Sequence, residues 1–131
     1  MSGLRDLREL IQSMRPDQVP GEYVFVSVNV ASAELAAKAM VCEAEGVTYV
    51  IERGEADARG LIYDFVAAWI TLNVHSALDA VGLTAAVCTA LTDAGISCNV
   101  LAGRFHDHLL VPYERADQAI EVLKHLATAE T

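Results

Sequence analysis

Six apolar residues, Leu83, Ala86, Val87, Ala90, Leu91 and Ala94, fall at i, i+3, i+4, i+7, i+8 and i+11. Residues so spaced line one side of an α-helix, and that side must be covered. Just upstream, Ile70, Leu72 and Val74 alternate with Thr71, Asn73 and His75. That is the period-two pattern of a strand with one apolar and one polar face. Beyond Gly95, Ile96 to Ala102 and His108 to Val111 read as two more strands. Pro112 then opens a last element, in which Ala116, Ala119, Ile120, Leu123, Leu126 and Ala127 form a second helical stripe. The order β-α-β-β-α predicts an antiparallel sheet with both helices on one face, where each stripe is buried.

The N-terminal half has weaker signals. Leu4, Leu7, Ile11 and Met14 recur at helical spacing, with Ser2 available as N-cap. Pro16, Pro20 and Gly21 are expected to break the chain. In Tyr23 to Val30, Val24, Val26, Val28 and Val30 fall on one face of a strand. Ala39 to Ala44 and Val47 to Glu52 flank Glu45-Gly46 and suggest a hairpin, although Ala33 to Glu45 also suits a helix by propensity. Glu55 to Arg59, closed by Gly60, suits a short helix.

An internal repeat links the halves. A shift of sixty residues places Val50-Ile51 on Leu110-Val111 and Ala56-Asp57 on Ala116-Asp117, while Val24 meets Ile70 at a shift of forty-six. The second copy is longer by about one helix. The expected fold is therefore α+β, with two related units, the first lacking its first long helix. The expected boundaries are an N-terminal helix and linker over 1–20, a shortened unit over 21–66 and a second unit over 67–131.

Composition narrows the function. Nine Lys+Arg against eighteen Asp+Glu leave a formal charge of −9. A phosphate-backbone binder or a polybasic membrane-surface protein needs the opposite sign, so neither nucleic acid nor membrane is an expected partner. No uncharged apolar run approaches the roughly 18 residues of a membrane span. Arg5, Asp6, Arg8 and Glu9 stand where a signal peptide needs an apolar stretch, which suggests a cytoplasmic protein. Cys42, Cys88 and Cys98 form no CxxC pair and are read as small buried apolar residues.

Val81-Gly82-Leu83-Thr84, the helix that follows, Ala94-Gly95-Ile96-Ser97, and the continuation through Leu109-Leu110-Val111 to Asp117-Gln118-Ala119-Ile120 resemble the core of an ACT domain. Such units are ferredoxin-like, of βαββαβ type. The layout, with Glu22 to Phe25 and Trp69 to Ser76, is similar to small stand-alone bacterial proteins with two ACT-like units. It also resembles the C-terminal ACT pair of aspartate kinases and the tandem modules of cytosolic arginine sensors. The resemblance covers about residues 21 to 128. It implies a non-enzymatic regulatory protein, a homodimer, that binds a small molecule, an amino acid being the expected class. Another protein, unidentified, would read the signal. The ligand would lie where two units meet, near the loop after the first strand and the start of the next helix.

Local chemistry is compatible with that site. Ser76-Ala77-Leu78-Asp79 reads as a capping box, and Gly82, between Val81 and Leu83, allows close backbone approach. Helix-start N–H groups suit a carboxylate. Asp107 matches an acidic position that the arginine sensors carry just before their final strand, and it could pair with an ammonium or guanidinium group. Arg104-Phe105-His106 departs from the small polar residues of those sensors, and Ser97 replaces the Asn of the aspartate kinase "GIN" motif, so ligand identity does not transfer. The expected ligand-binding residues are Ser76, Val81, Gly82, Leu83, Ser97, His106 and Asp107. The competing readings are a tight turn at Gly82, a plain cap at Ser76 and a solvated hairpin acid at Asp107. His75, His106 and His108 raise the alternative of a His-based metal protein, although no metal or cofactor is expected. No G-x-S-x-G, P-loop or HExxH motif is present, so no catalytic residue is assigned. The remaining alternative is an oligomerisation or interaction module without ligand.

Overall fold

The computed structural model of the chain describes residues 6–32 and 34–129. Strand β1 spans Pro16–Val28 and runs through the Pro16, Pro20 and Gly21 positions where a break is expected. Pro16 is the first residue of the strand, where a missing N–H is tolerated, and Gly21 adopts φ 111°, open to glycine at little cost. Val24 and Val26 are buried as the alternation predicts, but the strand ends at Val28 and Val30 is 74% exposed.

By internal contacts, Gly21–Ala67 forms one compact unit. Here β2 (Ala39–Glu43) and β3 (Gly46–Glu52) form an antiparallel hairpin, with β3 between β2 and β1. The turn is Ala44-Glu45, one residue earlier than expected, and Gly46 opens β3. Helix α2 (Arg53–Ala58) follows, and Gly60, at φ 66°, closes it by donating its N–H to the Asp57 carbonyl at 3.2 Å. Val24, Val26, Leu35, Val47, Tyr49, Ile51 and Ala56 make the core. Between β1 and β2 the described residues carry no helix. Leu35 reaches into the core from that connection, and the Tyr49 hydroxyl accepts the Ser32 N–H at 2.7 Å.

The described residues up to Pro20, with those from Ala68 onward, form the other unit. Helix α1 (Leu7–Ser13) is capped by the Asp6 carboxylate, which accepts the Glu9 N–H at 2.9 Å. Ser2, the expected cap, and Leu4 lie outside the described residues. Strand β4 (Val66–Leu72) neighbours β6 (Asp107–Pro112), and β5 (Asn99–Ala102) pairs with β6 at the edge. The Asn73 N–H donates to the Arg15 carbonyl at 2.8 Å beside β4. Helix α3 is Leu83–Asp93, and α4 is Ala116–Ala129 after a 3-10 turn at Tyr113–Arg115.

Three expected boundaries shift. Val74 and His75 fall beyond β4. Pro112 closes β6 rather than opening a helix. Strand β5 begins at Asn99, not Ile96, because Ile96 still belongs to the close of α3: its N–H donates to the Leu91 carbonyl at 2.9 Å, past Gly95 at φ 74°.

The core of this unit joins Leu10, Ile11 and Met14 of α1 to Ile70 and Leu72 of β4, Val87 and Leu91 of α3, Leu109 and Val111 of β6, and Leu123 of α4. Helix α1 packs against α3 and α4, so the helix layer gains a member from the N-terminus. The repeat extends to strand register. Ala39↔Val50 through Cys42↔Val47 become Asn99↔Leu110 through Ala102↔Asp107 under the same sixty-residue shift.

Candidate functional site

After β4 the chain runs irregularly from Asn73 to Gly82 before α3 begins. No helix begins at the expected capping box. The Ser76 hydroxyl donates to the Ala77 carbonyl at 3.3 Å, and a turn closed by the Ala80 N–H on the Ala77 carbonyl follows. Helix α3 starts only after Gly82, whose φ of 107° forces the chain around and which offers no side chain to cap the first N–H groups. Facing this loop is the β5–β6 turn, closed by the Gly103 N–H on the His106 carbonyl at 2.9 Å.

Loop, helix start and turn enclose a recess of about 130 Å³. Ser76, Leu83, His106 and Asp107 line it together with Thr84 and Gly103, among others. Every lining residue belongs to the unit from Ala68 onward. Asp107 opens β6 opposite Ala102 and is half-buried. Burial raises its carboxyl above the usual 3.8, while His108 and His106 pull it back down.

The other expected residues lie elsewhere. Val81 is 82% exposed and Ser97 is exposed, and neither lines the recess. Gly82 lines a separate open groove, where a Cβ would sit 3.1 Å from Leu7 of α1. Thr84, Leu78 and Gly103 were not expected at the site. A hydroxyl in the first turn of a helix and a glycine in a tight hairpin are the signals that point to Thr84 and Gly103. Leu78, 72% exposed at the rim, has no comparable signal.

The histidines divide. His75 packs against Phe105, ring centroids 5.6 Å apart, while His106 and His108 are 6.4 Å apart. The His108 Nδ1 lies 3.0 Å from the Thr71 hydroxyl and 3.3 Å from the Trp69 Nε1–H. Among the described residues, no group of three or more His, Cys, Asp or Glu side chains is gathered to hold a metal ion. Cys42 is exposed on β2, contrary to its reading as a small buried residue, while Cys88 and Cys98 are partly buried.

One ACT domain model matches residues 2–68 and a second matches residues 65–125. The chain belongs to the ACT domain family. It is a tandem ACT protein, and its recess falls within the second match. Among solved structures, a Vibrio cholerae protein of unknown function is 45% identical, with a TM-score of 0.85 over 96% of this chain and 99% of that one. An Agrobacterium tumefaciens protein is 18% identical, with a TM-score of 0.68 over 87% of this chain and 89% of that one. The regulatory subunit of aspartate kinase from Thermus thermophilus is 7% identical, with a TM-score of 0.65 over 87% and 96%. The last two likenesses are of fold alone. No curated protein matches the chain in sequence. Among the described residues, no helix of this tandem ACT protein is long and apolar enough to cross a membrane.

Proposed function

We propose that this tandem ACT protein is a non-enzymatic regulator that binds an amino acid at the recess beside Asp107. The observation that carries the reading is the convergence of a half-buried carboxylate with the uncapped start of α3. The Asp107 carboxylate would pair with the ligand's ammonium group. The first N–H groups of α3, at Leu83 and Thr84, would take its carboxylate, favoured by the helix dipole. Size supports a small ligand. Pockets for drug-sized molecules measure about 300–1,000 Å³, so a recess of about 130 Å³ admits only a compact polar group. ACT domains typically bind amino acids, which supports the same class. Binding would order the loop at 73–82 and shift an equilibrium that a partner protein reads.

A thermal-shift screen against the twenty amino acids tests this. A ligand at a hundredfold excess over its Kd stabilises the native state by about 2.7 kcal/mol. Stabilisation by one amino acid, lost in Asp107→Ala, is the expected result. No response to any amino acid overturns the reading. A second reading, an interaction module, is favoured by β2. This edge strand exposes about half of Met40 and of Val41, and open edges pair with other chains. Self-association abolished by Val41→Lys, in a protein that responds to no amino acid, would support it.

A further inference from the structure

Beside the end of helix α1, the same unit holds a cleft that shares no lining residue with the recess. Helix α1 stops at Ser13, and Met14 turns the chain into β1 at Pro16. The α4 stripe that carries Leu123 ends in Ala127, whose methyl group is too short to fill the space beside that turn. The cleft left there measures about 820 Å³, within the roughly 300–1,000 Å³ of small-molecule sites. Met14, Pro16 and Ala127, all buried, form its apolar lining, and the exposed Arg15 and Lys124 stand at its rim.

We propose that this cleft binds a soluble aromatic carboxylate, with its ring on the apolar lining and its charge between Arg15 and Lys124. The sign of the ligand follows from the lining. In a chain of formal charge −9, the cleft is bordered by two cations and one carboxylate. That carboxylate, Asp17, already accepts the side-chain amide of Asn73. Arg15 is held in place, because its Nη1 donates to the Gln12 and Met14 carbonyls at 2.9 Å each. Among the described residues its Nε and Nη2 have no partner, and Lys124 forms no ion pair. The Nε and Nη2 edge is one that takes a carboxylate through two parallel N–H···O bonds. The body of the ligand follows from Met14 and Arg15. A thioether makes favourable contacts with aromatic rings, and a guanidinium is attracted to a ring face. A saturated ring of the same size gains neither contact.

The test titrates phenylacetate, to millimolar concentration, into the isotope-labelled full chain and follows the backbone amide signals by NMR. Saturable shifts centred on Met14, Arg15, Ala127 and Thr128 are the expected result. Phenylacetamide keeps the ring without the charge and should bind at least about tenfold more weakly. Cyclohexylacetate keeps the charge without the aromatic face and should also bind more weakly. Arg15→Gln and Lys124→Gln should each weaken phenylacetate binding by about tenfold. Arg15→Gln also removes two bonds to α1 carbonyls, so the exposed Lys124 decides the matter if that variant misfolds. Shifts confined to the recess around Asp107, or no saturable shift at all, would overturn the proposal. So would amide or cyclohexyl analogues that bind as well as phenylacetate, or an unchanged affinity in Lys124→Gln.

Discussion

The indole Nε1–H of Trp69 lies 3.3 Å from Nδ1 of His108 on the neighbouring strand. An indole nitrogen only donates, so its proton points to Nδ1 or to the Thr71 hydroxyl beside it. The Thr71 hydroxyl lies 3.0 Å from the same Nδ1 and 3.2 Å from the Trp69 nitrogen. It therefore completes a partly buried three-residue network. Thr71→Val keeps the shape and removes the hydroxyl. With each hydrogen bond worth about 0.5–1.5 kcal/mol, urea unfolding should show a loss of about 1 kcal/mol. The emission of the sole tryptophan should shift as well. An unchanged urea midpoint would mean that the network contributes nothing.

Asp107 gives a signed pH prediction. Its carboxyl is raised above 3.8 in the folded state, by burial more than the flanking histidines lower it. The folded state then holds this proton more tightly than the unfolded one. The group's contribution is most favourable below its ordinary value, falls as pH rises through the raised one, and stays unfavourable at neutral pH. Asp107→Asn should therefore be more stable than the parent at pH 7. The gap between the two should close as the solution is acidified. Denaturant midpoints across the acid range measure it. A variant less stable at pH 7 would show that the carboxylate is better satisfied than its burial implies. An amino acid bound through the ionised carboxylate should lose affinity over the same window as pH falls.

The second ACT unit was legible because its stripes are local. Leu83 to Ala94 and Ala116 to Ala127 each carry their own period, and the hairpins carry their turns. The sixty-residue shift marked the repeat before any register was visible. What was not legible depends on partners distant in sequence. Nothing local in Leu10, Ile11 or Met14 says that they pack with Leu123. Trp69 and His108 are 39 residues apart, and only the adjacency of β4 and β6 joins them. At the site, the Asp107 carboxylate was legible as a hairpin acid before an apolar strand. Ser97 and Val81 were not separable from the residues that line the recess, because a short loop shows no period to say which side chains turn inward. Ser76 opens no long helix for a related reason: the start of α3 is set by Gly82, six residues later.

Two glycines with left-handed backbones should respond differently to alanine. Gly60 has φ 66° and no heavy atom within 4 Å of a built Cβ, so Gly60→Ala meets only backbone strain of about 1–2 kcal/mol. Gly46 has φ 146°, and its Cβ would sit 2.6 Å from the Val28 carbonyl oxygen, a backbone atom that cannot rotate away. Gly46→Ala should add an overpacking cost of about 1–3 kcal/mol to its strain. Thermal melts of the two variants should place Gly46→Ala clearly below Gly60→Ala. The reverse order would show that the β2–β3 hairpin yields more easily than its hydrogen-bonded register suggests.

Helix α1 offers the sharpest test of how the tandem ACT chain is divided. As a lead-in helix it would tolerate truncation of its side chains. In the structure Leu10 is fully buried and shares a core with Leu72, Leu91 and Leu123, which come from β4, α3 and α4. Removing a buried leucine side chain beyond Cβ costs about 2–5 kcal/mol, through lost transfer energy and the cavity left behind. Leu10→Ala should fall in that range in urea unfolding. Leu7→Ala, on a residue 40% exposed in the same helix, should lose much less. Equal, small losses from both would mean that α1 lies loosely on the unit, and residues 1–20 would then revert to a lead-in segment.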